Sequence, residues 1–177
     1  MAARTPTPGG GSAAAGTSAM GVALGEMVFA YSMSGTAPSG LLAEPKNELT
    51  KVRARLVELV TEDTAAYDRV RDAQRARRAS PGEASAQRSW EAAVRAAAEV
   101  PLETATASAR AIALLESHRG EVKATFASDL VTALALLRAG KEGAVANVAT
   151  NLEDLQQAGL PVGDLVAGLE RLRTERP

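Results

Sequence analysis

Apolar residues recur every three or four positions along nearly the whole chain, and this period constrains the fold more than any other feature. Leu49, Val52, Leu56 and Leu59 show it most plainly. No segment of any length alternates between apolar and polar residues as a half-buried strand does. Aromatic residues make up 3% of the chain and apolar types 46%, so Ala, Val and Leu must fill the core, as in closely packed helices. The sequence therefore predicts an all-α fold.

The first two helices are bounded by glycine and proline. Helix one is predicted from Ser12, which could cap it after the three glycines, to about Met33. A loop rich in Gly, Pro and Ser is predicted over residues 35–45. The second helix is predicted to be long, from roughly Lys46 to Arg78.

The second half of the chain predicts three or four further helices. A third helical stretch carries Pro101, where we expect a kink, and ends at a turn near residues 118–120. A fourth helix is predicted to stop around Gly140, followed by a fifth over residues 145–155 and a short terminal helix ending near Arg173. With short loops, these elements predict an antiparallel bundle of five to six helices.

The length of 177 residues suits one domain, so we expect a glycine-rich leader at 1–11 and a single helical domain at 12–177. The 20 basic and 21 acidic residues give no field that would favour nucleic acid. With no cysteine and a single histidine, His118, a zinc site is not expected. The start of the chain lacks a signal-peptide pattern, and glycines, Ser18 and Glu26 interrupt the apolar stretch 13–33. We therefore expect a soluble, cytoplasmic protein that does not bind membranes.

Four polar residues lie where apolar ones are expected. Asp63 falls within the apolar stripe of the second helix, and Asp129 falls close to the apolar face of the fourth. Asn147 and Asn151 are four residues apart and flank an apolar ridge, so their amides could face one cavity. These groups either line a shared site or bond to neighbours inside the bundle, and their spacing alone does not decide between the two.

The segment Pro8-Gly9-Gly10-Gly11-Ser12 directly precedes the first helix. Its uncrowded backbone amides beside a helix N-terminus suit an anion or a closely approaching flat ligand. A flexible glycine-rich leader would have the same composition.

Taken together, these motifs resemble the formiminotransferase-cyclodeaminase and methenyltetrahydrofolate cyclohydrolase family. The resemblance extends from near the start of the chain to about Leu155, with its parts in the same order. Five blocks carry it: Pro6 to Ser12 with the helix ending Glu26-Met27-Val28, Glu62 to Asp68, Ala98 to Glu103, Ser128-Asp129, and Ala146 to Leu152.

This resemblance implies an all-helical homodimer that binds a tetrahydrofolate derivative, without metal or prosthetic group, in a cleft bordered by the glycine-rich turn. The cleft would lie near or at the subunit contact. Asp129 is our first candidate for acid and base catalysis, because a carboxylate there would also attract a cationic substrate carbon, and Asp63 is the second. The substrate-binding candidates are Pro8, Gly9, Gly10, Gly11, Ser12, Ser128, Asn147 and Asn151.

Three functions are compatible with the resemblance. The first expectation is hydrolysis of 5,10-methenyltetrahydrofolate to 10-formyltetrahydrofolate, because the chain carries no fused transferase domain. The alternative is formiminotetrahydrofolate cyclodeamination, which releases ammonia. A third is a divergent, non-catalytic folate-binding dimer, because Val122 to Ala127, just before the Ser-Asp pair, departs from the family pattern.

Overall fold

The computed structural model describes residue 4 and residues 7–33 and 40–174, and in these ranges the chain is helical, with no strand. Part of the predicted loop 35–45, residues 35–39, lies outside the described residues. The all-α prediction is confirmed, whereas the dimer and the division at residues 11 and 12 remain predictions. The described residues form five helices, α1 (Gly10–Met33), α2 (Ala43–Ala79), α3 (Ala84–Ser117), α4 (Ala127–Gln157) and α5 (Gly163–Thr174), with short 3-10 turns at Arg119–Glu121 and Ala124–Phe126.

α1 lies between α2 and α4 and runs antiparallel to both. Its N-terminal Gly11 meets Asp63 of α2, and Glu26, farther along, meets Arg53. On the other side, Gly10 meets Asn147 of α4 and Gly21 meets Leu137. α3 completes the packing around α1, where Gly25 lies against Leu115.

α1 is the one helix, within the described ranges, that is long and apolar enough to cross a membrane by length and composition alone. It nevertheless packs against three other helices, and Val22, Val28 and Phe29 are fully buried in the core. Such packing is typical of the central helix of a bundle, which is apolar on several sides.

The predicted helix break at Gly140 is wrong, because α4 continues through it from Ala127 to Gln157. Gly140 is instead where α4 crosses α1. A β-carbon built on Gly140 would lie 2.0 Å from Oγ of Ser18 and 2.8 Å from the backbone oxygen of Ala14. The glycine is therefore required by the close approach of the two helices.

α2 extends well beyond the start of α1. Asp63 is level with Gly11, and α2 continues for 16 more residues to Ala79, about 24 Å at the rise of an α-helix. In this part of the molecule α3, α4 and α5 share a second apolar core that includes Val94, Leu152 and Leu165, and Val70 of α2 and Trp90 of α3 pack against it. Along its length α1 fills the space between α2 and α4. Because α1 begins at Gly10, it does not fill that space alongside the part of α2 that continues toward Ala79. The N-terminus of α1 faces this unfilled space.

Candidate functional site at the start of α1

A carboxylate from α2 caps the N-terminus of α1. Oδ2 of Asp63 accepts hydrogen bonds from the backbone N–H and from Oγ of Ser12, both at 2.7 Å. Ser12 Oγ also lies 3.3 Å from Oγ1 of Thr64. The first turn of α1 carries no acidic residue of its own, so Asp63 provides the negative charge that a helix N-terminus favours. Ser12 is therefore not the predicted N-cap: α1 begins two residues earlier, at Gly10.

The glycines of the turn are required by the two side chains that contact them. A β-carbon on Gly11 would lie 2.0 Å from Oδ1 of Asp63, and one on Gly10 would lie 3.1 Å from Nδ2 of Asn147. A methyl group at Gly11 would displace the carboxylate. The structure therefore brings Gly10 and Gly11 of the turn together with Asn147 and Asp63.

Asn147 donates from Nδ2 to the carbonyl of Gly143, one turn earlier in α4, at 2.7 Å. Its Oδ1 lies near Gly10, at 3.3 Å from where a β-carbon would be. Gly9 is half-buried and its carbonyl accepts the N–H of Ala13, whereas Pro8 is exposed. Both polar atoms of the Asn147 amide thus lie beside the start of α1.

Asn151 has a partner inside the bundle. Its Nδ2 donates to the carbonyl of Ala97 in α3 at 2.6 Å. This carbonyl would ordinarily accept the N–H of residue 101, but Pro101 has none. Asn151 therefore fills a hydrogen bond missing from α3, and its amide N–H is not directed to the glycine turn. The interpretation that the two asparagine amides could face one cavity is therefore not supported for Asn151, which bonds to a neighbour inside the bundle.

Asp129 lies far from Asp63 within one chain. It stands in the first turn of α4, 18 residues before Asn147, which is five turns and about 27 Å along the helix. Asp129 and Asn147 lie on the same side of α4, but Asn147 is level with the start of α1 and Asp129 is level with its other end. Ser128 beside it is exposed. The expectation that Asp63 and Asp129 share a pocket is therefore wrong for a single chain. The helical period predicts which side of a helix a residue faces, but not how far along the bundle it lies.

Arg55 forms a charged cluster that the sequence analysis missed. It makes paired hydrogen bonds with Glu62 of its own helix and with Glu103 of α3, at 2.5 to 3.0 Å, and a further one with Glu58 at 2.9 Å. The Arg55 hydrogen bonds lower the pKa of Glu62, while Glu103, followed by Glu62 and Glu58, raises the pKa of Arg55. The available signal was the presence of Glu62 and Glu103 in two of the five resemblance blocks.

A cavity of about 620 Å³ lies elsewhere, between α3, α4 and α5. Ile112, Val145 and Leu172 form part of its apolar lining. Val145 and Asn147 are two residues apart and thus on nearly opposite faces of α4, so this cavity is separate from the glycine turn. Its charged lining residues carry both signs: Arg138, Lys141, Arg173, Glu116 and Glu142. We place the candidate site at the turn because the close-fitted glycines and carboxylate are there.

Metal-ligating groups are not clustered in the part of the chain that the structure describes. No set of three His, Asp or Glu side chains that could hold a metal ion occurs within the described ranges. The polar groups at the turn are a carboxylate, two hydroxyls and an amide, which suit hydrogen bonding to an organic molecule.

Comparisons with known proteins agree with this architecture. The family model described as formiminotransferase-cyclodeaminase matches residues 1–160, which include the turn, Asp63, Asp129 and Asn147. The structure is similar to the crystal structure of formiminotetrahydrofolate cyclodeaminase from Thermotoga maritima, with a TM-score of 0.83 and 24% sequence identity over 97% of this chain and 83% of that one. No curated protein sequence matches the chain.

The family match covers most of the chain, and the helical fold is shared with the solved cyclodeaminase. The turn at Gly10 and Gly11, the Asp63 carboxylate and Asn147 all fall inside the matched range. The chain therefore belongs to the formiminotransferase-cyclodeaminase family.

Proposed function

We propose that this chain is a formiminotetrahydrofolate cyclodeaminase, which closes 5-formiminotetrahydrofolate to 5,10-methenyltetrahydrofolate and releases ammonia. The observation that carries the proposal is the Asp63 carboxylate fitted against Gly11 and Ser12 at the start of α1. The family name and the name of the structural neighbour support cyclodeamination more than the hydrolysis that we first expected. Hydrolysis remains the second candidate because it uses the same methenyl cation.

The reaction requires one proton to be moved. N10 attacks the carbon of the protonated formimino group, a C–N bond forms, and N10 gives up its proton. The former imino nitrogen then leaves as ammonia with an added proton, and the ring carbon becomes the methenyl cation. A carboxylate that accepts the proton from N10 and delivers it to the departing nitrogen suffices.

The two aspartates are suited to different roles. Oδ2 of Asp63 already accepts two hydrogen bonds from Ser12, so its negative charge is fixed in place, which favours a cationic substrate carbon. Asp129 makes no hydrogen bond or ion pair with any of the residues the structure describes, so its carboxylate can take up a proton without breaking a contact. We assign proton transfer to Asp129 and electrostatic stabilisation to Asp63.

A second copy of the chain would bring the two aspartates together. α1 carries a stripe of residues that are half-buried or exposed, and its members are separated by four and three positions in turn, the spacing of a coiled-coil seam. Met20 and Tyr31 in this seam are 58% and 55% exposed. The seam consists of Ala13, Thr17, Met20, Leu24, Met27 and Tyr31.

A two-fold axis across this seam would exchange the ends of α1. Gly140 meets Ser18 about halfway between Asp129 and Asn147 on α4, and Met20 is less than one turn from Ser18. An axis at this height places the partner's Asp129 level with Asn147 and Asp63. We therefore propose a homodimer whose active site combines Asp63 of one subunit with Asp129 of the other.

The activity is tested by supplying the purified protein with each substrate and following methenyl absorbance and ammonia. Cyclodeamination requires the absorbance to rise with equimolar ammonia when 5-formiminotetrahydrofolate is supplied. A fall in absorbance with 5,10-methenyltetrahydrofolate would show hydrolysis instead. Calorimetric binding of a tetrahydrofolate analogue with neither reaction would support the non-catalytic folate binder.

The shared site is tested by mixing two inactive variants, Asp63→Asn and Asp129→Asn, under conditions that exchange subunits. Half of the random dimers are mixed, and each mixed dimer has one intact site, so about one quarter of the wild-type activity should return. No recovery in dimers shown to have exchanged would mean that each site is built from one chain.

A further inference from the structure

Tyr67 differs from the other aromatic side chains of this protein. The chain has one Trp, two Tyr and two Phe, all within the described residues. Phe29 contacts His118, Tyr31 contacts Phe126 at a ring-centroid distance of 5.3 Å, and Arg77 lies 3.8 Å from the centre of the Trp90 ring. Tyr67 is 42% exposed and has no ring or hydrogen-bond partner in the part of the chain described here.

The position of Tyr67 relates it to the glycine turn. It follows Asp63 by four residues on α2, so it lies one turn farther along a neighbouring face, about 6 Å away between β-carbons. Because α1 and α2 are antiparallel and Asp63 is level with Gly11, this turn of α2 lies beyond the end of α1. Tyr67 therefore lies beside the space between α2 and α4 that α1, which begins at Gly10, does not fill.

The burial pattern of α2 does not require a tyrosine here. Its core-facing positions nearby are Ala66, which is buried, and Val70, which packs on the second apolar core. Tyr67 contributes to neither core, and an exposed aromatic ring beside a polar site is a common means of holding a flat ligand.

We propose that Tyr67 is a substrate-binding residue whose ring stacks on the aromatic part of the bound folate while Asp63 faces the reacting centre. This inference rests on the proposed function, because it requires a ligand with a flat ring. Stacking acts equally on the substrate and on the transition state, so its loss should change KM and leave kcat nearly unchanged.

The test compares Tyr67→Phe and Tyr67→Ala with the wild type, using kinetics with 5-formiminotetrahydrofolate and calorimetry with 5-formyltetrahydrofolate. We expect the alanine variant to raise KM and the Kd of the analogue by about tenfold, with kcat within about twofold. The phenylalanine variant keeps the ring and should match the wild type. Val57→Ala, which removes a 53% exposed side chain from the same helix, is the control and should change neither constant.

Other outcomes separate this inference from the proposed function. A wild-type protein that binds no folate analogue would overturn both. A wild type that binds, with an alanine variant of equal Kd, would overturn only the assignment of Tyr67. A phenylalanine variant as weak as the alanine variant would mean that the hydroxyl acts and not the ring. A monomeric alanine variant would place Tyr67 in the subunit interface instead.

Discussion

Asn151 donates a 2.6 Å hydrogen bond to the carbonyl of Ala97, the group in α3 that Pro101 leaves without its helical donor. The bond joins α4 to α3 about one helical turn beyond Asn147, the residue that meets Gly10. It explains how α3 continues through a proline from Ala84 to Ser117 without ending. A polar residue on the inner side of α4 thus has a backbone partner.

The first prediction concerns this bond. Asn151→Ala should destabilise the protein by about 1 kcal/mol, because the carbonyl of Ala97 loses its donor. In a Pro101→Ala background the new N–H of residue 101 can bond that carbonyl, so the same substitution should cost only a few tenths of a kcal/mol. Urea unfolding of the four proteins measures the difference. Equal costs in both backgrounds would contradict the assignment.

The second prediction concerns the fit of the glycine turn. Gly11→Ala should lower activity by at least about tenfold, because its methyl group would displace the Asp63 carboxylate and break both bonds to Ser12. Gly16→Ala is the matched control in the same helix, since its nearest contact would be Val60 at 3.9 Å. The control should retain activity and gain up to about 1 kcal/mol from helix propensity. Equal activities of the two variants would remove the argument for a closely fitted turn.

The third prediction concerns the crossing of α1 and α4. Gly140→Ala should destabilise the fold by about 1 to 3 kcal/mol, because its methyl group would meet both Ser18 and the backbone of Ala14. Gly143→Ala, on the same helix, meets only the β-carbon of Ala14 at 3.4 Å and should be tolerated. The unfolding free energies of the two variants provide the check, and a stable Gly140 variant would mean that the helices can separate at little cost.

The fourth prediction concerns the α1 seam. Met20→Glu should convert the proposed dimer to monomers, because two charges would face each other near the proposed axis. Val131→Glu, at a residue 54% exposed on the opposite side of α4 from α1, should leave the dimer intact. Light scattering after size-exclusion chromatography distinguishes the two. A Met20 variant that remains dimeric would require a different interface.

The fifth prediction concerns pH. The hydrogen bonds from Arg55 lower the pKa of Glu62 below its ordinary value of 4.5. The stabilisation is therefore complete above about pH 4.5 and is lost as the pH falls through the lower, folded-state pKa. Because Glu62 is 41% exposed, we expect less than about 1 kcal/mol. Glu62→Gln should cost this amount at neutral pH and nothing near pH 2, as measured by urea unfolding. An equal cost at both pH values would rule out the ionised pair.

The sequence predicted the helices better than their ends. The apolar period of α2 located that helix to within three residues at the start and one at the end. Gly140 was wrongly predicted to end a helix. A glycine that ends a helix and a glycine that allows another helix to pack closely against it can have the same local sequence. The difference is the contact with Ser18, a residue more than a hundred positions away.

The candidate site was predicted in part. The resemblance to the family implied a cleft bordered by the glycine turn, and Asp63 and Asn147 do lie beside that turn. Asp129 was placed with them because it falls close to the apolar face of its helix, but a helical wheel gives no position along the helix axis. The partner of Asn151 could have been inferred from Pro101 only with knowledge of which helices are neighbours.

The central position of α1 also bears on how the chain folds as it is synthesised. α1 leaves the ribosome before α4, yet Gly10, Gly21 and several of its core residues pack against α4, near Asn147 and Leu137. Until α4 follows, the most apolar helix of the protein has no partner on that side, and contacts so distant in sequence form slowly. The nascent chain should therefore depend on chaperones at this stage, even though the finished bundle buries Val22, Val28 and Phe29 of this helix.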